Sequence, residues 1–210
     1  MATKPQIKQS ATALLGVLLM ETAMRLLPPM APPLASLLIL RTLQLGVMAL
    51  CLKKQFIEGG LGCLSPEALK RAFVKGVAWS LGFGAFAATC AVVLALSGIN
   101  PLGLIRMRLP QDPTTLALFF LTGGLVAPIA EEFFFRGILY RLLRPFGMIQ
   151  AILITTLLFA AAHAIQGGLP ATQLVGGLLF AAAFEKEGHL LVPIIIHAAG
   201  NTALFTLSLI

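Results

Sequence analysis

The fold class predicted is all-α: a polytopic membrane helical bundle of about seven transmembrane helices. Three observations predict it. Of the 210 residues, 58% are hydrophobic and only 11% charged, and a mean hydropathy of +0.94 is far too apolar for a soluble domain. The apolar runs are continuous and rich in Leu, Ala and Gly, whereas a membrane β-barrel would alternate apolar and polar residues over short segments. The cations cluster at the ends of those runs, the placement that orients membrane helices. The chain is therefore read as one integral membrane domain, residues 1–210, multi-pass in the cell (inner) membrane, with the lipid bilayer around it and a cytoplasmic N-terminus.

Residues 11–27 form the first span. Lys4 and Lys8 precede it in the manner of a signal peptide, but Glu21 and Arg25 follow directly, so a retained helix is expected. Glu21 and Arg25 lie four apart and can pair along one face. The proline-rich turn of Pro28, Pro29, Pro32 and Pro33 ends this span. Residues 34–52 form the second, in which Arg41 faces the interior or snorkels; these three charges read as structural. The connection 53–72, with Lys53, Lys54, Glu58, Glu67, Lys70 and Arg71, is the most basic loop and hence cytoplasmic. Residues 76–105 carry no charge and supply a third span, left through Asn100 and Pro101. Arg106, Arg108, Pro110, Asp112 and Pro113 make an outer loop. Four further apolar stretches follow at 115–143, 147–164, 169–184 and 191–210. The first exceeds the minimum span of about 20 residues, and Pro128 provides for a bend.

The formal charge of +7 is not gathered into one arm or interleaved with aromatics, so nucleic acid is not an expected partner. Cys51, Cys63 and Cys90 are odd in number and lack CxxC spacing, which indicates neither a disulfide framework nor a thiolate metal site.

An ionisable group within a span costs about 2.5–3.5 kcal/mol on insertion scales, so each is a candidate functional residue. The C-terminal half holds Glu131, Glu132, His163 and His197. Glu132 and Arg136 are four apart and can pair along one face. Glu131 points about 100° away from Glu132, toward Ala127, Pro128, Phe134 and Phe135, with no local cation. A lone carboxylate in apolar surroundings suits a general base or acid. Phe159 and His163 share a helix face, as do His197 and Asn201. Glu131 lies sixteen residues before Gly147 and His163 sixteen after it. Helices antiparallel about the turn of Arg144, Pro145, Phe146 and Gly147 therefore bring the two to one depth. His197 lies about eight residues beyond the loop of Glu185, Lys186, Glu187, Gly188 and His189. It is expected several ångströms shallower, unless that loop is recessed or the last helix bends. His189 itself is expected in solvent.

With these residues in place, the pattern resembles the CPBP family, the CAAX prenyl protease and bacteriocin-processing intramembrane proteases, also called Abi. The family's EExxxR corresponds to Glu131, Glu132 and Arg136, its FxxxH to Phe159 and His163, and its HxxxN to His197 and Asn201. The resemblance covers about residues 115–205, the expected catalytic core in the last four spans; residues 11–113 match only as apolar helices. It implies an intramembrane endopeptidase in which Glu131 and His163 activate a water while His197 and Asn201 stabilise the oxyanion. Glu132, Arg136 and Phe159 would support them. The substrate implied is a membrane-anchored peptide or protein tail, and the absence of a targeting segment suggests a bacterial source. The family includes enzymes described as metalloproteases and as metal-free glutamate proteases. A zinc site would use Glu131, His163 and His197, but with no further ligand and no HExxH motif the metal-free form, with no cofactor required, is preferred.

Two other classes compete. A proton- or cation-coupled transporter could use the same buried Glu and His, but would show internal repeats and broken helices in both halves. A non-enzymatic immunity or assembly factor would bind a peptide without cutting it. A two-aspartate protease is excluded by the single aspartate, Asp112, and a serine mechanism lacks a GxSxG-like motif.

Overall fold

The computed structural model describes residues 4–26, 32–57, 61–163 and 170–210. Among them every regular element is helical. The first two helices, α1 (Lys4–Leu26) and α2 (Pro33–Ile57), pack on each other, and α3 (Pro66–Leu96) runs for 31 residues. A short α4 (Pro101–Ile105) leads to α5 (Pro113–Leu121), and the chain continues through α6 (Ala127–Glu132) and α7 (Arg141–Leu143). Then come α8 (Met148–His163), α9 (Ala171–Glu187) and α10 (Leu191–Leu207). Among the described residues, three stretches are long and apolar enough to cross a membrane: Pro33–Gln55, Pro66–Leu96 and Pro113–Phe146. The helices α8 and α10 are apolar but shorter.

Local signals explain the boundaries. Ser65 accepts from the Ala68 N–H to cap α3, Asn100 from Leu102 and Gly103 to cap α4, and Asp112 from Thr114 and Thr115 to cap α5; in each case proline follows the cap. The turn expected at 144–147 is a single 3₁₀ turn, Arg144–Phe146, closed by Gly147 at φ 133°, a conformation open essentially to glycine alone.

The long segment from α5 to α7 is not one regular α-helix. Two π-helical stretches, Thr122–Val126 and Phe133–Tyr140, flank α6. In the first, the Ala127 N–H reaches back five residues to the Thr122 carbonyl. Pro128, five beyond Gly123, has no N–H to give that carbonyl. Such turns inside helices concentrate at functional sites.

The charged residues of the first two helices pair across the interface between them. Glu21 bonds to Arg41 and Gln44 across the α1–α2 interface, and Arg41 also bonds to Gln44; the Arg25 side chain, Pro28, Pro29 and Glu58 lie outside the described residues. Burying a carboxylate in an apolar bundle demands a partner, and the neighbouring helix supplies one that spacing along α1 could not reveal. At the other end of the bundle, Glu187 binds Lys75 and the Trp79 indole N–H, tying the end of α9 to α3.

The core is continuous around the second π stretch. Ile138 and Tyr140 pack with Met48, Leu52, Leu61, Phe184 and Leu190, while Phe135 joins Phe159, Phe180, Val192 and Ile196. His189 is not free in solvent as expected. Its Nε2–H donates to the Cys63 carbonyl, its Nδ1 accepts from the Leu191 N–H, and the Leu190 N–H reaches the Leu61 carbonyl. The loop before α10 is thereby tied to residues 61–63, with Leu190 close to Gly137.

Candidate active site

Glu131 and Glu132 occupy the last turn of α6, next to the second π stretch. Glu132 and Arg136 are fully buried, and Arg136 Nη1 donates to Glu132 Oε1 at 3.0 Å. Arg136 Nη2 donates to the Gly177 carbonyl on α9 at 2.9 Å, and its guanidinium lies 5.3–5.8 Å from the ring centroids of Phe135, Phe159 and Phe180. The expected i,i+4 pair thus exists, enclosed by aromatic rings that favour a cation.

Both histidines reach the doublet. His163 Nε2 lies 3.8 Å from Glu131 Oε2, and His197 Nε2 lies 3.8 Å from the same oxygen. His197 Nδ1 is 2.8 Å from Glu132 Oε1, and His163 Nδ1 is 2.8 Å from the Phe159 carbonyl. A carbonyl can only accept, and Glu132 Oε1 already accepts from Arg136, so each Nδ1 carries the proton. In the neutral form each imidazole then turns an Nε2 lone pair toward Glu131.

The depth argument for Glu131 and His163 agrees with this contact. His197 joins them because the loop before α10 is recessed: Leu190 sits near Gly137, so His197, seven residues further on, reaches the level of the doublet. Phe159 closes the set, its ring 4.6 Å from that of His163 and 5.6 Å from that of His197.

Asn201 is drawn elsewhere. Its Nδ2 donates to the Gly123 carbonyl at 2.8 Å, meeting the acceptor that Pro128 cannot serve and fastening α10 to the first π turn. A Cβ at Gly123 would lie 3.0 Å from the Phe205 ring, which would have to shift to admit it.

Two contributors were not singled out by the sequence. Phe180 stacks face-on against His197, centroids 4.5 Å apart and planes 19° from parallel, and Gly177 supplies the second acceptor for Arg136. A phenylalanine in an apolar helix reads the same whether it faces lipid or a histidine. The doublet of Gly176 and Gly177, which marks a close helix approach, was the available signal. Added at Gly177, a Cβ would lie 3.0 Å from Thr156 Cγ2 on α8.

A group of three His, Cys, Asp or Glu side chains drawn together tightly enough for a metal ion is absent among the described residues. The donor chemistry nevertheless suits one. Two Nε2 lone pairs converge on a carboxylate, and each imidazole is oriented by an acceptor behind it, as in His₂Glu zinc sites.

No solved structure matches the chain significantly. An uncharacterised 24.3 kDa protein of Escherichia coli is 32% identical over 143 residues, 60% of this chain and 62% of the relative, so the chain spans about three fifths of that relative's length. Residues 113–203 match the family model described as type II CAAX prenyl endopeptidase, Rce1-like. That interval contains Glu131, Glu132 and Arg136, Phe159 and His163, and His197 and Asn201, so every motif that carries the resemblance falls inside the stretch that is similar to the Rce1-like type II CAAX prenyl endopeptidase family.

Proposed function

We propose that the protein is an intramembrane endopeptidase that hydrolyses a peptide bond in a membrane-anchored peptide or protein tail. The observation that carries the reading is the convergence of His163 Nε2 and His197 Nε2 on one oxygen of Glu131, each at 3.8 Å. A water there donates one hydrogen to Glu131 and the other to a histidine lone pair, which turns an oxygen lone pair toward substrate. Glu131 takes the proton as the water oxygen bonds to the carbonyl carbon. It returns that proton to the departing amine as the C–N bond breaks.

The developing oxyanion needs donors. His197 provides one when both its nitrogens are protonated, since Glu132 then holds Nδ1–H and Nε2–H is free. Asn201 would use the second hydrogen of an amide whose first is committed to Gly123. Such a donor contributes about 2.7–4 kcal/mol in comparable sites. Glu132 and Arg136 orient His197 without touching substrate. If zinc is bound, Glu131, His163 and His197 would hold it, and it would supply a Lewis acid for the carbonyl and the water.

The same reading takes the chain as multi-pass in the inner membrane with about seven spans, α1 and the shorter helices α8, α9 and α10 completing the count begun by the three long ones. Comparing membrane-anchored peptides in cells that make the wild type or Glu131→Gln tests the activity. The wild type is expected to yield products that the variant, equally well inserted, does not. Undiminished cleavage by Glu131→Gln would sink the mechanism. Elemental analysis of the purified protein, and cleavage before and after chelation, separates the metal-bound from the metal-free form.

A further inference from the structure

We infer that Phe180 on α9 is a positioning residue for His197, a role that rests on the protease reading above. Three observations on separate residues converge. The Phe180 ring lies parallel to the His197 imidazole, at 4.5 Å and 19°. The same ring lies 5.4 Å from the Arg136 guanidinium, and Arg136 holds the Glu132 oxygen that accepts from His197. Gly176 makes room for the ring, since a Cβ there would meet Phe180 Cε2 and Cζ at 3.2 Å.

A hydrogen bond from Nδ1 to Glu132 sets the direction of the imidazole but leaves it free to rock about the Nδ1···Oε1 line. A parallel ring against one face and the Phe159 ring edge-on at 5.6 Å and 81° remove that freedom. Nε2 then stays aimed at Glu131 Oε2. Phe180 touches neither substrate nor water in this scheme; it acts through His197.

The test replaces Phe180 by Leu, which keeps apolar bulk and removes the flat face, by Tyr, which keeps the face, and compares both with Phe184→Leu. Phe184 lies one turn further along α9 and packs on Tyr140, outside the site, so it reports loss of aromatic packing alone. In detergent-solubilised full-length protein, NMR relaxation of labelled histidine rings is expected to show a rigid His197 imidazole in the wild type, Phe180→Tyr and Phe184→Leu, and a markedly more mobile one in Phe180→Leu, with the Nδ1–H tautomer kept in all. A stacked pair of this kind is worth enough to change kcat about threefold to tenfold with KM little altered in Phe180→Leu, while Phe180→Tyr and Phe184→Leu stay near wild type. The ring-mobility measurement needs no substrate, so it remains decisive if no cleavage is found and the protease reading itself fails. A His197 ring as rigid in Phe180→Leu as in the wild type, or a loss of kcat equally large in Phe184→Leu, overturns the inference.

Discussion

Replacing Arg136 by Met removes a charge whose partners are all inside the bundle. Glu132 is left as a fully buried carboxylate whose remaining contact is His197, and the Gly177 carbonyl loses a donor from the neighbouring helix. Breaking a buried pair by removing one partner costs about 3–5 kcal/mol, because the other charge stays buried uncompensated. Arg136→Met is therefore expected to lose about that much, and Arg136→Lys most of it, since an ammonium cannot hold Glu132 and Gly177 with one planar fork. Adding Glu132→Gln to Arg136→Met removes the stranded charge and should recover about 2–3 kcal/mol of coupling. The assay is equilibrium unfolding of purified protein in mixed micelles. It is followed by the fluorescence of Trp79, the single tryptophan, whose indole is fixed to Glu187. An Arg136→Met protein within about 1 kcal/mol of wild type, or a double variant no better than the single one, refutes the claim that the pair is a mutually dependent buried unit.

Three further outcomes follow from the geometry. Gly147→Ala places a side chain at φ 133°, where only glycine rests easily, and should lower unfolding stability by about 1–3 kcal/mol in the same micelle assay without altering where cleavage occurs. Asp112 is held below its ordinary carboxylate range by the hydroxyl and the N–H of Thr115 and the N–H of Thr114. The unfolded chain therefore binds the proton more readily, and the cap's contribution is complete above the ordinary aspartate value and fades as pH falls through the lowered one. Thermal melts of Asp112→Ala should be less sensitive to acid over that interval than those of wild type. Asn201→Leu leaves the Gly123 carbonyl without the donor it has now and should cost about 1–3 kcal/mol of stability by that route, so a loss of cleavage in this variant with unchanged unfolding would point to a purely chemical role.

The pairing of Glu132 with Arg136, the facing of His163 with Phe159, and the common depth of Glu131 and His163 could all be read in the sequence. Each depends only on helical period and rise about one well-marked turn. What escaped depends on the third dimension between helices. Glu21 bonds to Arg41 and Gln44 of the neighbouring helix, because α1 and α2 pack at that face. His189, half-buried, proved also a structural link, since the chain at 61–63 folds back against it. The π stretches were illegible for another reason: a proline announces that a hydrogen bond is missing, but not whether the helix answers by kinking or by widening.

The recessed loop and the widened helix depend on each other, and both serve the same three side chains. Had α10 begun level with the 144–147 turn, His197 would lie well short of Glu131, as the residue count alone suggests. It begins deeper because Leu190 is tied to Leu61 and His189 to Cys63, beside the glycine of the second π stretch. Further along, α10 is fastened by Asn201 to the carbonyl that the first π turn and Pro128 leave available. The spacing from His197 to Asn201 is one helical turn, so fixing either end of that turn fixes the other. A helix held at both points cannot slide along its axis without breaking the Glu132–His197 contact and the Asn201–Gly123 bond together. That registry is what keeps His197 Nε2 aimed at the Glu131 oxygen that His163 Nε2 also faces.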